Sequence, residues 1–218
     1  FCEKPVTNTL EEALSLKSLL GKLPLIVQVG HSERFQSIWS QLDKYQHFFT
    51  AGSTIRMHRL APFKGRATDV DVVSDLMIHD LDLLLYLWKE NPKRVRAKGQ
   101  KISTNKWDHV CASFEFASGT HATITVGRNH IREVRNLEIT NLRGCLEIDL
   151  LYLCQTSITA GGTLVEEKTF SKSDVLMLEQ EAFFKAISIG STPLVSLDAG
   201  IAPVKLISKT LESLETGA

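Results

Sequence analysis

The run Ser74–Trp88, SDLMIHDLDLLLYLW, limits what this chain can become more than any other stretch. It is long enough for four helical turns, holds neither Gly nor Pro, and opens on Ser74, a residue suited to capping a helix. Leu76, Met77, Ile78, Leu81, Leu83, Leu84, Leu85 and Leu87 leave almost no polar face, and a helix apolar nearly all round is buried. Against that background Asp75, His79, Asp82 and Tyr86 recur at steps of four, three and four and share one side. Carboxylates and an imidazole on a buried helix are costly unless paired. The spacing by itself leaves two readings open. Asp75 could serve the helix dipole with His79 a satisfied core histidine, or His79 could be a general acid/base, oriented by Asp75 and facing a cleft.

The surroundings of this helix give it a place. Phe1-Cys2 reads as a strand end, turned out by Glu3-Lys4-Pro5 because Pro5 cannot continue a ladder. Asn8 or Thr9 can cap a helix over Leu10–Leu20 that Gly21 stops, and residues 25–29 are a short β-rich run. This is one β/α step of a parallel sheet. Gly30-His31-Ser32-Glu33-Arg34-Phe35 leads into a helical pattern over about residues 36–45. Residues 54–60 alternate as a strand, and 61–73 form an irregular segment of the kind that often carries function. Beyond the central helix the period becomes two, predicting strands over 95–102, 109–116, 120–126, 134–140, 145–149, 152–158 and 164–170. Helices over about 174–189 and 196–214 close the chain. The expected fold class is α/β (α+β): a large, mostly antiparallel open sheet covered by helices on one face, preceded by a remnant of a parallel sheet.

Composition narrows the function. Twenty-five basic and 25 acidic residues balance, without a block of like charge, so no nucleic-acid footprint is present. No apolar run is long enough for a membrane span. Cys2, Cys111, Cys145 and Cys154 have no CxxC spacing and read as reduced cytoplasmic thiols. The seven histidines are scattered, with no HExxH, so no metal site is expected.

Glu3-Lys4-Pro5 at a strand end, followed about seventy residues later by Asp75-x-x-x-His79-x-x-Asp82 on a helix, resembles the Gfo/Idh/MocA oxidoreductases. The resemblance implies residues 1–30 as the tail end of a dinucleotide-binding Rossmann domain and 31–218 as the substrate-binding and oligomerisation domain. It implies NAD (or NADP) as cofactor. Lys4, His79 and Asp75 would be catalytic: His79 takes the hydroxyl proton, Lys4 stabilises the alkoxide, and Asp75 holds His79 or pairs with Lys4 or substrate. Glu3, Lys4 and Pro5 would approach the nicotinamide end of the cofactor. Asp82 matches the pattern but stays outside the catalytic set, since it can equally pair within the core.

Within the family, residues 29–35 and 69–82 resemble the branch that oxidises the C3 hydroxyl of UDP-N-acetylglucosamine, upstream of an aminotransferase in 2,3-diamino-sugar lipid A synthesis. That implies a nucleotide-sugar substrate, a coupled aminotransferase, and a homodimer or homotetramer formed through the open sheet face. His31, Arg34, Arg59 and Arg66 are the substrate-binding candidates, because Arg suits bidentate phosphate contacts. Lys64 reads equally as a solvated cation, and Arg128, Asn129, His130 and Arg132 as site rim or plain loop. The family's glycine-rich phosphate-binding turn occurs nowhere in the sequence, so the chain is expected to be the C-terminal portion of the enzyme and inactive by itself. Another sugar or inositol dehydrogenase, or a non-catalytic dimerisation domain, remains the alternative.

Overall fold

A computed structural model describes residues 1–217. Strands β1 (Cys2–Glu3) and β2 (Val29–Gly30) pair in parallel, with helix α1 (Leu10–Leu20) crossing between them. The ends of α1 follow local chemistry. Thr9 Oγ1 accepts from Glu12 N while the Glu12 carboxylate accepts from Thr9 N, a complete capping box. The expected strand over 25–29 shrinks to Val29–Gly30, preceded by a bridge from Gln28 to Ser196, and Leu25 is exposed. The expected helix over 36–45 is instead a 3₁₀ segment, Ser37–Phe48, broken at Gln41. It buries Ile38, Trp39, Tyr45 and Phe48, and the Tyr45 hydroxyl donates to Glu166 at 2.6 Å, tying the segment to the far sheet edge.

Eight strands form the large sheet. They are β3 (Thr54–Leu60), β4 (Arg94–Gln100), β5 (His109–Glu115), β6 (His121–Gly127), β7 (Val134–Asn141), β8 (Gly144–Asp149), β9 (Cys154–Thr159) and β10 (Leu164–Thr169), in the order β10-β9-β8-β7-β3-β6-β5-β4. All neighbours are antiparallel except β3 and β6. The first strand therefore lies at the centre, between the consecutive strands β6 and β7. Both edges carry charge, Arg94, Arg96 and Lys98 on β4 and Glu166, Glu167 and Lys168 on β10, which discourages further strand pairing.

Helices α2 (Ile78–Trp88), α3 (Val175–Ile189) and α4 (Leu197–Thr216) complete the chain. Ser74 does not cap α2: the helix is entered one turn earlier through a π-helical turn, Val73–Met77, where Ile78 N–H donates to Val73 O, and the cap-type bond runs from Ser74 N to Asp71 Oδ1 at 2.8 Å. Leu81, Leu83 and Leu84 are fully or almost fully buried against the sheet, each contributing about 1.5–3 kcal/mol by removal from water. A second, smaller core joins Val6, Ala13 and Val29 to Val195, Ile201 and Val204. Helix α4 belongs to both cores and so binds the parallel piece to the large sheet. Its approach to β2 needs glycine at one point, since a Cβ at Gly200 would meet Val29 Cγ2 at 2.4 Å.

Candidate active site

The carboxyl ends of β1 and β2 meet the N-terminal turns of α2, and the chain continues past them as Lys4 and His31. The polar side of the central helix divides here into two parts with different partners. Its lower part faces Arg34. The Asp82 carboxylate accepts from Arg34 Nη2 at 2.6 Å and Nε at 2.8 Å, and Tyr86 lies beneath the same guanidinium at 4.7 Å. His31 Nδ1 stands 3.7 Å from Asp82 Oδ2. Arg34 and Asp82 are buried, so the pair spends its donors and acceptors on each other. The structure does not bring Arg34 to the cavity that holds His79; it supports the helix instead.

The upper part, Asp75 and His79, lines a cavity of about 300 Å³ with Ser32, Glu33, Arg59, Lys64, Arg66, Arg128, Glu133 and Arg135. Asp75 makes no hydrogen bond to His79. The π turn explains this, because an extra residue in the turn rotates Asp75 away from the position directly beneath His79. Asp75 meets Lys4 instead: Lys4 Nζ donates to the Asp75 carbonyl at 2.9 Å and lies 3.6 Å from Oδ1. Burial holds the Lys4 ammonium below its usual pKa, with Asp75 opposing that shift. Burial, and then the cations Arg59 and Lys4, push the His79 imidazole well below its ordinary value, so it is neutral at neutral pH and able to accept a proton. Its Nδ1 is buried without a partner.

Arg59 contributes to the cavity wall, yet its guanidinium is committed. It donates to the Asp80 carboxylate at 3.0–3.1 Å and to Glu33 Oε1 at 3.0 Å. A phosphate contact there would have to displace a buried carboxylate, so Arg59 fits a structural cation better than an anion clamp. Arg66 and Lys64 line the cavity with exposed side chains, and Lys64 reaches Glu133 at 3.5 Å. Arg128, left open in the sequence, is buried: it donates to Asp108 at 2.6 Å and to the carbonyls of Ala67 and Val70, clamping the segment that carries Lys64 and Arg66. Asp108 in turn accepts from the backbone N–H groups of Ile102, Ser103 and Thr104, which holds its pKa far below the usual carboxylate range.

Sequence reasoning missed Glu33 and Arg135. Arg135 sits opposite Arg59 only because β7 pairs with β3, a contact between distant segments. Glu33 adjoins His31 and Arg34 in sequence, and no spacing singled it out. Among the described residues no group of His, Cys, Asp and Glu could hold a metal ion, and no helix is long and apolar enough to cross a membrane.

A parallel α/β piece docked on a large open sheet, with a lysine held on an aspartate one turn before a histidine at the junction, defines a class of oxidoreductase architecture. The chain belongs to the GFO/IDH/MocA family: residues 49–147 match the model of the GFO/IDH/MocA C-terminal domain, and solved family members superpose over nearly all of it. The UDP-N-acetylglucosamine 3-dehydrogenase of Acidithiobacillus ferrooxidans is 34% identical over 194 residues, 85% of this chain and 61% of that protein. Two crystal forms of that enzyme, GnnA, superpose with TM-scores of 0.88 and 0.89 at 31% identity, covering 98% of this chain and 70% of theirs. Levoglucosan dehydrogenase, solved with NADH and L-sorbose, shares the fold at a TM-score of 0.87 and 16% identity, over all of this chain and 71% of that one. The chain spans less than two thirds of the curated relative's length.

Proposed function

We propose that this chain forms the substrate side of a nicotinamide-dependent dehydrogenase that oxidises the C3 hydroxyl of UDP-N-acetylglucosamine to a ketone. The observation that carries the reading is Lys4 held on Asp75, one turn before His79 along the central helix, with Asp75 and His79 both lining a cavity walled by cations. The carboxyl ends of β1 and β2 are where open parallel sheets receive ligands, so Glu3, Lys4 and cis Pro5 fit the nicotinamide end of a dinucleotide. Bound there, NAD or NADP would supply the hydride acceptor. Residues 1–30 then act as the edge of the dinucleotide-binding domain, and 31–218 as the substrate and oligomerisation domain.

The chain's own residues divide the remaining work. His79, kept neutral by burial, takes the proton of the reacting hydroxyl. Lys4, held by Asp75, places its ammonium against the developing alkoxide. Asp75 acts through Lys4 and not through His79. Arg66 would meet a diphosphate, with Lys64 and Arg135 joining it by leaving the part-exposed Glu133 that both now pair with; His31 lies deeper, beside Asp82. The product ketone requires an amino-group transfer to become a diamino sugar, which is the step a partner aminotransferase would supply in lipid A synthesis. The outer face of the large sheet is polar, with Arg56 paired to Glu138, and offers a surface for a homodimer or homotetramer.

The test uses the full-length protein, with reduced nicotinamide followed by absorbance while an aminotransferase and an amino donor draw off the ketone. UDP-N-acetylglucosamine should be turned over. Lys4→Met and His79→Asn should each lower kcat by about 10²–10⁴-fold. Turnover of inositol or a free sugar in its place would overturn the substrate. Full activity in both variants would remove the catalytic assignment.

A further inference from the structure

The wall of the cavity carries a chain of alternating charges. Lys64 Nζ lies 3.5 Å from Glu133 Oε2, and Arg135 Nη2 donates to Glu133 Oε1 at 3.0 Å. Arg135 Nη1 then stands 3.6 Å from Glu33 Oε1, which accepts from Arg59 Nη1 at 3.0 Å, and Arg59 ends on Asp80. The chain runs from solvent to core. The Lys64 side chain is 52% exposed, those of Arg135 and Glu133 37% and 32%, and Glu33, Arg59 and Asp80 are buried. Its inner half is fixed, because Glu33 sits in the turn after β2 and its backbone carbonyl accepts from Trp39 Nε1 at 2.7 Å. Its outer half is not. Glu133 lies in the loop between β6 and β7, and its pairs with Lys64 and Arg135 are open to water, where such pairs are weak.

Resting on the nucleotide-sugar reading, we infer that Glu133 is a specificity-determining residue: its carboxylate holds Lys64 and Arg135 in the place of the substrate's diphosphate, and gives them up only to a stronger anion. Glu133 swings out into solvent while Arg135 keeps its other nitrogen beside Glu33, so the edge that faced Glu133 turns to a phosphate oxygen. Lys64 follows. Arg66, which pairs with no carboxylate among the described residues, adds a further cation from the same wall. A neutral sugar cannot draw these cations away, and a sugar with a single carboxylate only exchanges like for like. The diphosphate of a nucleotide sugar carries a charge on each phosphate and takes forked contacts from arginine, so it wins the exchange.

The surroundings suit an exchange of partners. Burial works against ionisation of Glu133, but Arg135 and Lys64 outweigh it and hold the carboxyl below its ordinary value, so it is an anion at neutral pH. The cations keep their places while the partner changes. Arg128 donates to the carbonyls of Ala67 and Val70 and so fixes the backbone beyond Lys64 and Arg66, and the pairing of β7 with β3 seats Arg135 opposite Arg59. His79 lines the same cavity, so a diphosphate held by the exposed cations leaves its sugar on the side of the imidazole.

The test is made on the full-length protein by calorimetric titration with UDP, uridine and inorganic pyrophosphate, for wild type, Glu133→Gln, Arg135→Gln and the double variant. Glu133→Gln keeps the size of the side chain and removes the competing charge. It should bind UDP and pyrophosphate about three- to tenfold more tightly than wild type at low salt, the scale of exposed charge pairs, and leave uridine unchanged. KM for UDP-N-acetylglucosamine should fall with it, and kcat should move less. Damage to the fold weakens binding, so a tighter complex is not a structural side effect. On the Arg135→Gln background most of the gain should disappear, whereas a gain from net charge alone would persist. Weaker or unchanged binding of UDP and pyrophosphate by Glu133→Gln would overturn the exchange and leave Glu133 as a support for the two cations. An equal gain for uridine, or a gain kept in full without Arg135, would overturn it as well. Failure of wild type to turn over UDP-N-acetylglucosamine, with the pyrophosphate gain intact, would instead overturn the substrate reading and leave the anion exchange standing.

Discussion

Asp80 and Arg59 show how much one residue can carry here. Both are buried, and Arg59 bridges Asp80 and Glu33, joining α2, β3 and the turn after β2. Replacing such a pair with apolar groups can be neutral, but removing one partner leaves a charge uncompensated. Asp80→Asn should therefore cost about 3–5 kcal/mol, read as a lower urea midpoint with an unchanged slope. The buried titratable groups make a second prediction. His79 and His31 titrate lower in the fold than in the open chain, so stability is lost as pH falls below about 6.5. Glu179 is shifted the other way, from 4.5 to about 7, so the stability it favours at low pH is lost as pH rises through that window. Glu179→Gln should raise the melting temperature relative to wild type at pH 8 and leave it nearly equal at pH 4. A constant difference at both pH values would show that Glu179 does not change its ionisation on folding.

At the scale of elements, two connections decide where the site is. Arg128 ties the segment 61–73 to Asp108, and the Asp108 carboxylate is itself held by three backbone N–H groups. Arg128→Gln should loosen this segment, seen as faster amide hydrogen exchange over residues 64–70 with β5 and β6 unchanged. The other connection is the close contact of α4 with β2. Gly200→Val would force Val29 aside, and overpacking of this kind costs about 1–3 kcal/mol by thermal unfolding. The extent of each element was readable where local chemistry governs it. The capping box at Thr9 and Glu12 bounds α1, and the Ser196 and Asp174 caps bound the last helices. The π turn was not readable, since the sequence Val73–Met77 suits an ordinary helix and only the need to bury Val73 and Met77 while presenting Asp75 to Lys4 selects the extra residue. The Ser37–Phe48 segment was misread for a similar reason: its apolar residues fit a helical period, but their burial is shared between a kinked pair of turns.

For the whole molecule, the two cores meet along α4, and the candidate site lies where the turn after β2 meets β3, β7 and the start of the central helix. The polar outer face of the sheet predicts an assembly that depends on ion pairs. If copies associate there, light scattering should report a dimer or larger species that Arg56→Glu weakens, and that high salt weakens as well. A monomer at all concentrations would remove the sheet face as an interface. The sequence by itself determined the α/β character, the near-complete set of strands and helices, and the buried central helix with Asp75 and His79 on one side of it, because period, caps and turn residues are local properties; Lys4 was singled out through the family resemblance. Only the tertiary structure decided that β3 lies between β6 and β7, that Arg59 and Arg34 are spent on buried carboxylates, that Asp75 serves Lys4, and that His31 stands beside Asp82. Those facts depend on pairings between segments far apart in the chain, and the energy that selects them appears only when the cores close.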